Sequence, residues 1–329
     1  MKFDWKSLFG HFEQEPEEET AVTGEFSSCS DSELLDKIKT EQWEQLEEKD
    51  RLELFQEMEN RAAFAEGRDP AKIIAPENGG YYGCYSSGSN QIEIDVSGSS
   101  SYEALDTYVH EQNHAVQWNC IDNGMEKDGA SIDMIRTEFH DYAQVEPEYS
   151  MQCNEMDSNN QAAEFMLSQA DRYANDPNYR EYVMERVEHY SEVNESIRTM
   201  ECRRECMHES QADKALENGL ISEEQHESLL ERDQDPDQID PEVSKSIEME
   251  SRLRELNHEL GKGKTSIDYL DAEPAEDIGY TGICEEAVSE GITDGNDYLG
   301  MAATQENGND VGAEETSGME SSGSHGMEQ

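Results

Sequence analysis

The pentapeptide His110-Glu-Gln-Asn-His114 constrains the fold of this chain more than any other feature of its sequence. Two histidines four residues apart lie about 40° apart around a helix axis, so an uninterrupted helix presents both imidazoles to one metal ion. Glu111 then lies beside the open coordination position, where a carboxylate can accept a proton from a bound water. The motif predicts a helix that carries a hydrolytic metal centre.

The residues around this motif have the pattern of a buried helix. Ser100 followed by Glu103 predicts a capping box at its start, and neither proline nor glycine interrupts the run from Glu103 to Trp118. Asp106, one turn before His110, is a candidate for orienting that imidazole. Apolar residues recur at helical spacing on both sides of the histidines: Ala104, Leu105, Tyr108, Val109, Ala115 and Val116.

A β-hairpin is predicted immediately before this helix. Polar and apolar residues alternate over 90–96, which predicts a half-buried strand, and the turn-rich run 86–90 precedes it. The expected hairpin pairs Tyr81–Tyr85 with Gln91–Val96. An edge strand beside a metal-binding helix can hold an extended peptide by strand addition.

Catalytic zinc normally takes three protein ligands and a water, so the motif requires a third ligand from elsewhere. A second helix is predicted over Asn154–Met166. Glu155 shares one of its faces with small and apolar residues and is the preferred ligand, with Asp157 as its nearest rival. Asn159, one turn after Glu155, is a candidate for a hydrogen bond to a ligand.

The run Tyr102-Glu-Ala-Leu-Asp-Thr-Tyr-Val-His-Glu-Gln-Asn-His-Ala-Val-Gln117 resembles the active helix of small zincin-like zinc metallopeptidase domains. These domains occur in bacterial toxin-type and mobile-element proteins and show the pattern EALDTLxHExRHAYQ. Their hairpin with Tyr and Gly matches Gly80–Val96, and their ExDAxxFA segment, which carries the third ligand, matches 155–165. Over about residues 30–170, the resemblance implies one Zn²⁺ on His110, His114 and Glu155, with Glu111 as general base.

Two positions depart from the family pattern. Asn113 stands where an arginine is usual before the second histidine, and Ser158 stands where an alanine is expected. Neither change removes a ligand, but both leave the identity of the substrate open.

Peptide hydrolysis also needs a donor for the developing oxyanion, and the candidates in the connecting region 132–150 are His140, Tyr142 and Tyr149.

The chain is extremely acidic, with 24 Lys and Arg against 78 Asp and Glu and a formal net charge of −54. This charge argues against binding to a nucleic acid backbone or an anionic membrane. Residues 265–329 contain 16 acidic residues and neither Lys nor Arg. Such a segment buries too little apolar surface to order itself, so 261–329 is predicted to be a disordered acidic tail. A basic protein is a possible partner for it.

The remaining patterns predict an α+β fold that is mainly helical and zincin-like, with the small hairpin before the metal helix. Residues 1–29 form an acidic linker, 30–175 the metallopeptidase domain and 176–260 a helical extension. Within these, helices are predicted from Ser30 or Asp31 through Leu46, over Asp50–Glu66, from 177 to about 206, after Ser222, and over Pro241–Leu260.

Cysteine usage and the N-terminus bear on location. The seven cysteines are scattered, and reduced thiols fit a cytoplasmic protein. The first ten residues lack the apolar run of a signal peptide, so we expect a cytoplasmic protein or one exported without a classical signal. No segment approaches the roughly 20 apolar residues of a membrane span.

Together these features predict a zinc-dependent metallopeptidase that acts on a protein or peptide, and a toxin-like effector is a further possibility with the same chemistry. The alternative is a non-catalytic acidic interaction protein on a degenerate zincin fold. Stoichiometric zinc would separate the two, because binding alone does not require it.

Overall fold

The computed structural model describes residues 28–76, 82–127, 130–233 and 240–262, all within one compact unit. The predicted linker 1–29 and tail 261–329 lie outside the described residues, apart from 28–29 and 261–262. The described chain is mainly helical with one small sheet, as predicted. Its elements are α1 Asp31–Asp36, α2 Thr40–Trp43, α3 Glu48–Glu66, β1 Lys72–Ile74, β2 Gly83–Ser86, β3 Gln91–Ile94, α4 Ser101–Asn123, α5 Ile132–His140, α6 Cys153–Ser168, α7 Ala170–Tyr173, α8 Pro177–Thr199, α9 Glu201–Glu217, α10 Glu223–Asp233 and α11 Pro241–Gly261.

The first predicted helix is divided into α1 and α2 by a turn. Ser30 and Glu33 form a capping box at the start of α1. At the start of α2, the Asp176 carboxylate accepts hydrogen bonds from the backbone N–H and the hydroxyl of Thr40, at 2.9 and 3.1 Å. The residue that caps α2 is 136 positions away in the chain, so the spacing of residues in the sequence does not reveal that a new helix begins at Thr40.

The sheet has the strand order β1-β3-β2. The predicted hairpin is confirmed, since β2 pairs antiparallel with β3 and Tyr85 lies opposite Ile92. The parallel strand β1 was not predicted, because its three residues are too few to show a period. β2 lies at the edge of the described sheet, beside α4.

The metal-motif helix α4 begins as predicted and is longer than the predicted run. Ser100 and Glu103 form both bonds of the capping box, and Gly124 ends the helix in the left-handed conformation with φ 63°. Hydrogen bonds between polar side chains join α4 to α6, which carries Glu155.

The helices after residue 175 share the core of the preceding residues. The single helix predicted from 177 to about 206 is two helices, α8 and α9, which meet at Met200. Tyr179 and Tyr182 of α8 and Leu256 of α11 are buried in the same apolar cluster as Leu105 of α4. The region predicted as an extension therefore contributes to the packing behind the metal motif.

No helix in the described part of the chain combines the length and apolar character needed to cross a membrane.

Candidate metal centre

The structure brings His110, His114 and Glu155 together from α4 and α6. The two Nε2 atoms are 3.1 Å apart, and they lie 3.2 and 3.3 Å from the two carboxylate oxygens of Glu155. Ligands of a tetrahedral zinc with bonds of about 2.0–2.1 Å are themselves about 3.3 Å apart. The three side chains thus have the spacing of a zinc ligand set.

The electrostatics of Glu155 also fit a cation. Its side chain is fully buried, and burial alone would raise the pKa of its carboxyl. The two imidazoles outweigh burial and hold that pKa well below its usual range. Oε2 of Glu155 is buried, and none of the described donors makes a well-directed hydrogen bond to it. A bound Zn²⁺ would satisfy this oxygen, so the residues fit the metal that the sequence predicts.

Glu111 lies close to both imidazoles and next to strand β2. Its carboxylate is within 4.8 Å of the ligand nitrogens of His110 and His114, and it accepts a backbone hydrogen bond from Tyr85. Burial raises its pKa, although the imidazoles act in the opposite direction. Glu155 is closer than Glu111 to both nitrogens, so its position fits a metal ligand and that of Glu111 fits a neighbouring base.

Gly83 permits this close approach of β2 to α4. A Cβ at this position would lie 2.3 Å from Cγ2 of Thr107 and 3.2 Å from Cγ of Glu111. Only a residue without a side chain allows the strand to lie against Glu111.

The orientation of His114 is set by Gln117, which sequence reasoning missed. Nε2 of Gln117 donates to Asp157 Oδ2 at 2.7 Å and to the backbone oxygen of Asn154 at 3.0 Å. Its Oε1 therefore faces Nδ1 of His114 at 2.9 Å and accepts the proton there. Protonation of Nδ1 leaves Nε2 as the free metal-binding nitrogen.

Asp157, the rival ligand, is engaged elsewhere. Its Oδ1 accepts from Lys127 at 2.7 Å, and its Oδ2 accepts from Asn113 and Gln117, each at 2.7 Å. Asp157 thus supports the side chain that orients His114. The two positions that depart from the family pattern contact each other here, since Asn113 Nδ2 donates to Ser158 Oγ at 3.1 Å.

Asp106 and Asn159 lie one turn from the ligands and contact α8. Asp106 accepts from the Tyr182 hydroxyl at 2.6 Å and lies 3.6 Å from Arg186. Arg186 also donates to Asn159 Oδ1 at 3.2 Å. These contacts place both residues in a polar layer next to the site, with Arg186 between them.

The three oxyanion candidates differ in position. The hydroxyl of Tyr142 donates to Glu155 Oε1, and the ring of Tyr149 lies 5.8 Å from that of Tyr142. Burial, followed by the charge of Glu155, raises the pKa of both phenols, so both remain proton donors at neutral pH. His140 is exposed at the last residue of α5. The preceding residue, Phe139, packs against His114 with ring centroids 5.9 Å apart, a contact that the sequence did not indicate.

No protein-family model matches the chain, and neither a curated protein nor a solved structure shows significant similarity to it.

Proposed function

We propose that the protein is a zinc-dependent metallopeptidase with a zincin-like site. The observation that carries this proposal is the convergence of His110, His114 and Glu155, with donor atoms 3.1–3.3 Å apart and Glu111 beside them. Two imidazoles and a carboxylate form the protein ligand set of catalytic zinc sites that keep one position for water. When bound, Zn²⁺ supplies Lewis acidity toward water and a substrate carbonyl.

The residues around the metal position have separate roles in this mechanism. Glu111 accepts the proton of the attacking water and returns it to the leaving amine, and its raised pKa favours holding that proton. Gln117 keeps His114 in the tautomer that binds metal. The hydroxyl of Tyr142 donates to Glu155 Oε1 in this structure, so Tyr142, or Tyr149 next to it, would donate to the oxyanion of the substrate after turning its hydroxyl away from Glu155.

The edge strand supports a peptide as the substrate class. Asp95 N–H donates to Tyr82 O, so these two opposite residues form a hydrogen-bonded pair. Bonded and non-bonded pairs alternate along an antiparallel ladder, so the backbone N–H and C=O groups of Gly83 and Tyr85 point away from β3. Tyr85 N–H donates to Glu111, so a peptide would pair with the remaining outward groups of the described edge, the Tyr85 carbonyl and the backbone of Gly83, next to the proton acceptor. An extended peptide added to this edge would run past the metal position.

Glu111→Gln tests the proposal directly. We expect turnover to fall by at least about 10²-fold while zinc content stays unchanged, because the amide cannot accept the proton but removes no ligand. Cleavage of a mixture of unstructured peptides, followed by mass spectrometry, gives the turnover, and elemental analysis gives the zinc content. The matched control is Asp122→Asn, which removes an exposed carboxylate from the same helix. Equal cleavage by the Glu111→Gln and wild-type proteins would overturn the role of Glu111.

The extreme acidity favours a second candidate, an interaction protein that binds a basic partner through its charge. This candidate requires neither zinc nor Glu111. Wild-type protein that lacks zinc affinity and peptide cleavage, yet binds a polylysine probe at physiological salt, would support it over the peptidase.

A further inference from the structure

A second group of metal-binding side chains lies outside the site described above. Glu138 of α5, Cys153 at the first residue of α6 and His208 of α9 have ligand atoms within 4.8 Å of one another. All three residues are at most 1% exposed. Three helices that are separate in sequence thus place a carboxylate, a thiol and an imidazole around one buried point.

Further charged side chains of low exposure surround this cluster. Glu242 is fully buried in α11, and Asp240 precedes that helix at 9% exposure. Arg204 pairs with Asp240, and its guanidinium also lies 3.5 Å from Sγ of Cys153. A cation bound in the cluster would therefore lie among charged side chains that are shielded from water.

Helix capping by Glu138 explains part of the arrangement. Its oxygens accept the backbone N–H groups of Cys153 and Asn154, at 2.7 and 2.8 Å. These bonds hold the carboxylate in place, and each of its oxygens keeps a second lone pair that can bind a cation. A cap does not require a thiol or an imidazole beside it. His208 Nε2 lies 3.7 Å from Oε1, beyond hydrogen-bond distance but suited to a shared ion.

We propose that Glu138, Cys153 and His208 hold a second, structural Zn²⁺. Thiolate, imidazole and carboxylate together form a donor set that suits zinc, and one further oxygen donor completes a tetrahedral shell. This ion would join α5, α6 and α9, and it would fix the start of the helix that carries Glu155 two residues after Cys153. The proposal does not depend on catalysis at the first site.

Cobalt substitution tests this site separately from the first, because only the second site has a thiolate ligand. The purified full chain is stripped of metal and loaded with Co²⁺. We expect two bound equivalents and a near-ultraviolet sulfur-to-cobalt charge-transfer band. Cys153→Ser should remove the band and one equivalent. His114→Ala should remove one equivalent and retain the band.

Cys120→Ser is the matched control, because Cys120 is a buried cysteine of α4 outside the cluster and its loss should leave the band intact. The exposed Cys202 and Cys206 are replaced together as a second control. A wild-type protein without the band, or a band that survives Cys153→Ser, overturns the proposal. If Cys153→Ser does not fold, X-ray absorption of His114→Ala carrying zinc decides. A sulfur ligand supports the site, and a shell of nitrogen and oxygen alone refutes it.

Discussion

Gly83 shows how one missing side chain positions the proposed active site. The space that its Cβ would need is occupied by Thr107 and Glu111. Gly83→Ala should therefore push β2 away from α4, lower stability by about 1–3 kcal/mol and reduce peptide cleavage. Urea unfolding and the peptide assay measure the two effects. Gly88→Ala, which meets no atom within 4 Å, should change neither. Equal loss in both variants would mean that the effect is not steric.

At the residue scale, the sequence predicted the candidate metal ligands but not the side chains that hold them in position. The spacing of the motif and the inward face of α6 single out His110, His114 and Glu155, and the structure brings them together. Gln117 and Lys127 were missed because their contacts to Asp157 span 40 and 30 residues. Only the arrangement of α4 against α6 creates these contacts.

At the element scale, helix starts with local caps were predictable. The capping box predicted at Ser100 is confirmed, and of the two caps predicted for α1, Ser30 or Asp31, the structure has Ser30. Ser222 and Gln225 bond to each other at the start of the helix predicted after Ser222. The division at Thr40 was missed, because its cap comes from Asp176. Local chemistry is visible in the sequence, whereas a cap from a distant side chain is not.

The cap of α4 gives a prediction at this scale. Ser100→Ala removes an acceptor for the N–H of Glu103, 3.2 Å away, and should lower the free energy of unfolding by about 1 kcal/mol. Ser131→Ala is the control, because Ser131 precedes α5 without a side-chain cap bond, and it should change stability by only a few tenths. Chemical denaturation measures both. A similar loss for the two serines would contradict the role of the cap.

At the scale of the whole molecule, a buried charge cluster joins α3 to α4. Arg68 pairs with Glu59 at 2.7 Å and with Glu66 at 2.6 Å, and Gln112 of α4 donates to Glu66 at 2.6 Å. Burial raises the pKa of Glu66 to about 7, and the charge of Glu59 adds to this while Arg68 opposes it. The metal-motif helix α4 is thus hydrogen-bonded, through Gln112, to a carboxyl group whose pKa is near neutral.

Glu66 makes the stability of the fold depend on pH. The unfolded chain releases this proton near the ordinary pKa of 4.5, whereas the folded protein keeps it until about 7. Between these values the unfolded state binds fewer protons, so stability falls as pH rises, by about 3 kcal/mol from this group. Glu66→Gln should lack this loss.

Unfolding curves at pH 4.5–8 measure the difference between wild type and variant, in which the contributions of other groups cancel. Glu53→Gln is the control, because the Glu53 side chain is 63% exposed on the same helix. Its curve should run parallel to that of the wild type. A Glu66→Gln curve that is also parallel would contradict the buried proton.

The side-chain bonds between α4 and α6 have a consequence for metal exchange. Asn113, Gln117 and Lys127 all donate to Asp157, and none of these bonds requires a metal ion. The ligand helices are consequently preassembled, unlike those of small domains that fold only around zinc. A chelator should empty the proposed catalytic site while these bonds keep α4 and α6 packed together. Reactivation by added zinc would then follow the rate of ion entry, with no refolding step to wait for.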